Sequence, residues 1–368
     1  MSLSTITPLL IEATKNKRAL GAYNVYTLDQ IDALIEVHEQ HKSSLIIQVA
    51  DPANGFLGGN PDFMNAPACD RRKGAMAIGA KFQAAAAKTK IDVCLHLDHG
   101  KSLEAIKNAI EAGFTSVMFD GSHLPYEENV RMTKEAADLA HSHGVSIEAE
   151  LGVLGGTEDD VHSDHSYFTK PEEALDFVIR TGVDCLAISY GTQHGANKGK
   201  NTVLRNDIVE GVGQLLKAND IECPLVSHGS STVPKDIVES INALGGKISN
   251  AYGIKPDQMS KAVYSGIAKI NVDTDIRLAT TLAFLKYIET HEPLPEGIRK
   301  VSQVLAADPT SFDPRVFLVP VMDQVINIDG QTHETPLITR LLKEAVFNIC
   351  NRTIPVFSRT GVGVAYES

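Results

Sequence analysis

Positive charge is in short supply: 34 Lys and Arg stand against 46 Asp and Glu, a formal net charge of −12 over 368 residues. That balance argues against nucleic acid as a main partner, because a phosphate backbone calls for a basic stripe. A small phosphorylated ligand needs only a local positive pocket and stays open. No apolar run approaches the roughly 20 residues that span a bilayer, so no membrane segment is expected. The start, Met1 to Thr5, shows neither a basic region nor an apolar one, so no signal peptide is read there. Cysteine is also sparse. The five, at 69, 94, 185, 223 and 350, are scattered and without a CxxC spacing, which excludes a zinc–cysteine site and a disulfide framework. Cys94, Cys185 and Cys223 lie in or beside apolar runs and read as reduced core thiols of a cytoplasmic protein.

What is present is a soluble globular composition, 43% hydrophobic and 22% charged, long enough for one large α/β barrel with extensions. A pattern of strand, loop and amphipathic helix repeats along the chain. Eight short, largely apolar runs read as strands: Leu20–Asn24, Leu45–Ala50, Val93–Leu97, Ser116–Phe119, Val145–Glu150, Cys185–Tyr190, Leu225–His228 and Ala268–Val272. Helical segments such as Leu28–His41, Glu127–His143 and Asn206–Ala218 lie between them. Continuous apolar strands with crossover helices point to an α/β fold, a (β/α)8 TIM barrel. The rival doubly wound sheet lacks its usual Gly-rich first turn here. After Ile276–Glu289, residues Thr290–Pro314 read as loop-rich, and Pro336–Asn348 as a further helix. Residues 1–368 are expected to form one barrel domain, with about 290–368 as a C-terminal helical extension.

Three histidines share one context, a strand end followed by glycine: His99-Gly100, His194-Gly195 and His228-Gly229. A barrel presents side chains to ligands at such ends, and three converging imidazoles make a divalent-metal site with an open position. One strand-end histidine is usually structural; three on strands three, six and seven are not plausibly chance. Asp98, beside His99, suggests a base. Glu150, ending strand five, is an alternative ligand, and Asp120, ending strand four, a carboxylate to orient a histidine; both could instead be solvated or capping groups. His96 shares the face of Asp98 and reads as a packed, hydrogen-bonded histidine. Gly229–Thr232 and Asn271–Thr274 precede helices after strands seven and eight, where backbone N–H groups bind phosphate, unless they serve only as caps. Gly195–Lys198 adds a small-residue turn and a cation. The glycine-rich acidic loop Gly152–Asp160 could carry Glu158 into the site as an acid/base; by itself it would pass for a solvated loop.

Together these motifs resemble the class II, metal-dependent fructose-bisphosphate aldolases, from about Ala19 to Arg315. The resemblance rests on Asp98-His99-Gly100, Phe119-Asp120-Gly121-Ser122, Glu148-Ala149-Glu150-Leu151-Gly152, Gly155–Asp159, Gly191–Gly195, His228–Ser231 and Asn271–Asp275. Each alone is weak; their order and spacing are specific. It implies that His99, His194 and His228 bind a catalytic Zn2+, with Glu150 at an alternative metal position and Asp120 near a second one. Asp98 would be the acid/base on the C4 hydroxyl, and Glu158 the mobile glutamate that moves the C3 proton of dihydroxyacetone phosphate. Gly195, Gly229, Ser231, Asn271, Asp273 and Thr274 would cradle the ketose phosphate, with Lys198 close by and Asn24 near the substrate. A monovalent cation (Na+ or K+) would sit near the Gly195 and Gly229 carbonyls. Arg315 would hold the far phosphate, often across the subunit interface of a homodimer or larger homo-oligomer. The implied reaction is reversible cleavage of fructose 1,6-bisphosphate.

That chemistry suits the residues. Retro-aldol cleavage leaves an enediolate that a Lewis acid stabilises. It needs one carboxylate at the C4 hydroxyl and another at the carbanion carbon, and Asp98 and Glu158 lie on different segments. No lysine stands at a strand tip for a Schiff base; Lys269 lies inside strand eight. Three departures from the family pattern stand out: Ala50-Asp51 where Gln-x-Ser is usual, Ala22 in place of a proline, and the tail Thr360–Gly363. An acidic Asp51 would disfavour a second phosphate, which keeps an aldolase for a related ketose phosphate as the alternative. A barrel metal-hydrolase would want a His-x-His on strand one, which ends in Tyr23-Asn24. A catalytically inactive barrel with a binding role would be expected to have lost a ligand, and none is missing.

Overall fold

The computed structural model describes residues 3–158, 161–163, 166–326 and 336–359, with backbone only at 157, 158, 161 and 162. Eight parallel strands close into a barrel: β1 (Leu20–Asn24), β2 (Leu45–Ala50), β3 (Val93–Gly100), β4 (Ser116–Phe119), β5 (Ser146–Leu151), β6 (Cys185–Ile188), β7 (Leu225–Ser227) and β8 (Ile267–Val272). Each pairs with its sequence neighbours, and β1 closes on β8 through Leu20–Lys269 to Tyr23–Val272. Every barrel strand is buried along its whole length. That is why these strands read as continuous apolar runs rather than alternating ones.

The helix Ile6–Lys15, which the strand–helix pattern did not announce, packs Ile6, Leu9, Leu10 and Ala13 onto Leu20, Ile46, Cys94, Cys185 and Val226. The Ser4 amide donates to the Val93 carbonyl, at the first residue of β3. The end of the barrel where the strands begin is thereby closed, leaving the C-terminal ends of the strands as the open mouth. The helix Pro336–Phe357 packs against Asp29–His41 and Thr274–Thr290 on the outside.

Several boundaries differ from those expected. The stretch read as loop, Thr290–Pro314, contains a helix, Glu296–Ala307, whose Ile298, Val301 and Leu305 are buried on one face. Its two flanking prolines mark the helix edges rather than a lack of structure. Strand β3 runs three residues past Leu97, and β6 stops at Ile188, two residues short of Tyr190. The tail pattern Thr360–Gly363 lies outside the described residues. All five cysteines are free, with Cys94, Cys185, Cys223 and Cys350 buried. Among the described residues, no helix is long and apolar enough to cross a membrane.

Candidate metal centre and phosphate pocket

Strict strand alternation would send Asp98 and His99 to opposite faces. The backbone prevents this. His99 adopts a left-handed φ of 49°, and the pairing of β3 with β4 slips between Leu97 and Gly100. A non-glycine residue held there carries strain of about 1–3 kcal/mol, the kind that collects at functional sites. The bulge brings both side chains to the barrel mouth. Asp98, His99 and His228 offer ligand atoms within 4.8 Å of one another, as do His99, Glu150 and His194. The His99 ring lies 4.7 Å from the His228 ring and 5.4 Å from that of His194, centre to centre.

The remaining ring nitrogens are held from behind. His99 Nδ1 donates to Asp120 Oδ2 at 2.7 Å, while its buried Nε2 has no hydrogen-bond partner. An orphaned, buried imidazole nitrogen whose opposite edge is bonded to a carboxylate suits a metal ligand. His228 is flanked by two residues of β5: Nε2 donates to Glu148 Oε1 at 2.7 Å, while Nδ1 lies 2.9 Å from Glu150 Oε2 and makes no hydrogen bond. His194 is fixed by its backbone, its N–H donating to the Gly155 carbonyl at 2.8 Å.

The electrostatics point the same way. Burial alone would depress both rings. Instead the carboxylates of Asp98, Asp120 and Glu150 raise the His99 pKa well above its ordinary value, and Glu148 and Glu150 raise that of His228 to about 9. Burial would raise Asp120, but hydrogen bonds from His99 and Ser122 hold it well below the usual carboxylate range. The carboxylates thus favour a cation among these rings, and the donor set of imidazole nitrogens and carboxylate oxygens fits a divalent metal. Asp120 sits behind His99 and outside both ligand groups.

Asp98 is held by amides. Its Oδ2 accepts from Asn24 (3.1 Å) and Gln48 (3.2 Å), its Oδ1 from Asn271 (3.0 Å), and Gln48 also donates to Asn24. Gln48 was not among the expected site residues; an amide inside an apolar strand carries no local signal. His96 is buried, bonds Ser116 through Nδ1, and is kept neutral by burial and by Lys269, which lower its pKa to about 3. Glu158 ends a short strand paired with Val161–Ser163, and its side chain lies outside the described residues. The same ribbon abuts His194: a Cβ on Gly156 would lie 2.4 Å from the His194 carbonyl oxygen.

The expected phosphate residues fall into two groups. Lys198, buried, donates to the Gln193 carbonyl at 2.6 Å. Gly229, at φ +59°, packs on the same peptide so closely that a Cβ would meet it at 2.5 Å. Ser231 is buried beside them. The Thr232 and Val233 amides already donate to Asp275, so the anion turn narrows to Gly229–Ser231. The second group, Gly195, Asp273, Thr274 and Arg315, lines a cavity of about 360 Å³. Arg315 lies over Phe63 at 4.6 Å and over Tyr26 at 5.4 Å. Arg277, which the sequence reading passed over, lines the same cavity and bridges Asp273 (2.7 Å) and Asp313 (3.0 Å). Its only sequence cue was a basic residue one helical turn after Asp273.

Residues 4–332 match the family described as "Fructose-bisphosphate aldolase class-II". The chain belongs to this family. It is 39% identical to a fructose-bisphosphate aldolase of Giardia intestinalis over 88% of this chain and 90% of that one. It is 37% identical to that of Thermus caldophilus, over 86% and 92%. Among solved structures, the YdjI aldolase of Escherichia coli K12 superposes with a TM-score of 0.65 at 26% identity, over 98% of this chain and 100% of that one. Class II aldolases are metal-dependent and act on phosphorylated sugars, in keeping with the donor set and the arginine-lined cavity. At the Asp51 departure the carboxylate is 2.5 Å from Arg71 Nη1, so its charge is balanced. Arg71 also donates to the Met64 and Ala66 carbonyls, tying Asp51 to the segment that lines the Arg315 cavity.

Proposed function

We infer that the chain catalyses reversible cleavage of fructose 1,6-bisphosphate to dihydroxyacetone phosphate and glyceraldehyde 3-phosphate. The observation that carries this is the pair of ligand groups that share His99 directly beside Asp98. His99, His194 and His228 would hold Zn2+, a borderline cation suited to imidazole, with Glu150 as an alternative ligand. The metal supplies Lewis acidity at the ketone of the substrate. Asp98 takes the proton from the C4 hydroxyl in cleavage and returns it in condensation. Its three amide donors hold the carboxylate in place, so Asn24, Gln48 and Asn271 act through orientation. Glu158 delivers the proton to C3 from the neighbouring ribbon. Gly195, Gly229, Ser231, Asp273, Thr274 and Lys198 seat the ketose phosphate, with a Na+ or K+ ion at the Gly195 and Gly229 carbonyls.

Arg315, with Arg277, binds the far phosphate. Asp51 is balanced by Arg71, and the cations placed to receive a second phosphate are Arg315 and Arg277, which would exchange their pairing with Asp313 and Asp273 for it. The working form is a cytoplasmic homodimer or larger homo-oligomer, the barrel being one domain with its C-terminal helices as an extension. The test is cleavage of fructose 1,6-bisphosphate, tagatose 1,6-bisphosphate and fructose 1-phosphate, each with and without chelator. The expected outcome is highest kcat/KM for fructose 1,6-bisphosphate and loss of activity in chelator. Equal efficiency with fructose 1-phosphate would overturn the far-phosphate assignment, and full activity in chelator would overturn the metal.

A further inference from the structure

Inside the barrel, beneath the metal-capable cluster, lies a charged pair that the reaction does not use. Lys269 on β8 and Glu148 on β5 are both fully buried, and Lys269 Nζ is 2.9 Å from Glu148 Oε2. Strands β6 and β7 separate β5 from β8 in the closed sheet, so the pair spans the barrel interior. The other oxygen of Glu148 meets His228 Nε2 at 2.7 Å. His96 Nε2 is next nearest, 3.7 Å from Oε2. A neutral imidazole that donates Nε2–H to a carboxylate has its one lone pair on Nδ1. That nitrogen is buried, lies 2.9 Å from Glu150 Oε2 and makes no hydrogen bond, and His228 is one of the ligand group with His99 and Asp98.

We propose that Lys269 is a positioning residue for the metal centre: it pins Glu148 where the carboxylate accepts the His228 Nε2–H, which presents Nδ1 as the ligand atom. Two features favour this over a pair that merely fills space. Glu148 divides its oxygens, one to each partner, so rotating it away from Lys269 also releases His228. Glu148 and Glu150, two apart on one strand face, lie against opposite edges of a single ring, and only the Glu148 edge is hydrogen-bonded, which leaves Nδ1 and Glu150 Oε2 buried and unsatisfied where a cation would join them. Ligand orientation by an outer carboxylate is a general device at metal sites; the added element is a buried cation that orients the carboxylate itself.

This inference rests on the metal reading above, and the experiment separates the two. The metal-free parent is titrated with Co2+ against a competing chelator, and its visible d–d spectrum is recorded. Failure of the parent to bind one equivalent would sink the metal reading itself. The variant Glu148→Gln with Lys269→Met is neutral at both positions and close to isosteric, so the barrel keeps its filling. It should bind Co2+ about 10–100-fold more weakly, with a shifted d–d spectrum and little change in metal-free Tm. Lys269→Met alone should lose at least as much affinity. Parent-like affinity and spectrum in either folded variant would overturn the proposal. In the unaltered Zn2+-loaded protein, histidine 15N NMR should find His228 protonated at Nε2 and ligated at Nδ1; the reverse would also overturn it.

Discussion

Asp98→Asn changes one oxygen to an NH2 group in a carboxylate held on both oxygens. Asp98 accepts three amide N–H groups, two on Oδ2 and one on Oδ1. Asparagine has a single acceptor oxygen, so its NH2 must face at least one of those donors. The loss is one or two hydrogen bonds at about 1 kcal/mol each, too little to unfold a barrel of this size. Catalysis should suffer far more, because asparagine cannot accept the C4 hydroxyl proton. Loss of a general base costs about 10²–10⁴-fold, or roughly 3–5 kcal/mol of transition-state stabilisation. A coupled assay of triose phosphate release should show that drop in kcat, with stoichiometric metal still bound by the three histidines. Exchange of the C3 proton of dihydroxyacetone phosphate with D2O, followed by NMR, should survive, since the acid/base proposed for that step is Glu158 and not Asp98. Cleavage within tenfold of the parent would refute the role of Asp98. Loss of exchange together with cleavage would show that the substitution had damaged the metal centre instead.

Three further outcomes are expected. Gly229→Ala places a side chain at φ +59° with its Cβ 2.5 Å from the Gln193 peptide; the left-handed conformation alone costs about 1–2 kcal/mol. Thermal unfolding should shift down and KM for fructose 1,6-bisphosphate should rise; unchanged values would show that the turn is not needed. Arg315→Met should raise KM for fructose 1,6-bisphosphate while leaving fructose 1-phosphate nearly untouched; equal losses on both would remove the arginine from the far phosphate. Burial lowers the His38 pKa to about 4, and in the unfolded chain the ring titrates near 6.5. The unfolded state therefore binds more protons below pH 6.5. The stability this ring contributes is complete above about pH 6.5 and is lost as pH falls toward 4. Between pH 7.5 and 5 it should account for about 2 kcal/mol of lost stability, measured by denaturant unfolding. His38→Met should remove that share of the slope, and an unaltered slope would contradict it.

The eight strands were legible because parallel strands buried on both faces leave short apolar runs, and the crossover helices between them kept their own period. The three histidines were legible because each precedes a glycine at a strand end, and Gly195 and Gly229 turn the chain at the barrel mouth. Less was visible where function depends on partners far apart in sequence. Glu148 and Lys269 sit inside apolar strands, and no local pattern says that β5 and β8 face each other across the barrel. The bulge that turns both Asp98 and His99 inward follows from a left-handed residue that is not glycine, which composition does not signal. Asp51 read as a liability for a second phosphate because Arg71, twenty residues on, becomes its neighbour only once the helix Ala68–Ala86 packs on Asp51–Leu57. The helix Glu296–Ala307 was hidden by the prolines that bound it.

The most direct test takes the protein stripped of metal and titrates Zn2+ back, with bound metal and cleavage of fructose 1,6-bisphosphate measured on the same samples. Activity should start near zero, rise in proportion to bound metal and level off at one equivalent per chain, and His99→Ala should show neither tight binding nor activity. Full cleavage before any metal is added, or a rate indifferent to occupancy of the site, would contradict a metal-dependent aldolase built on His99, His194 and His228.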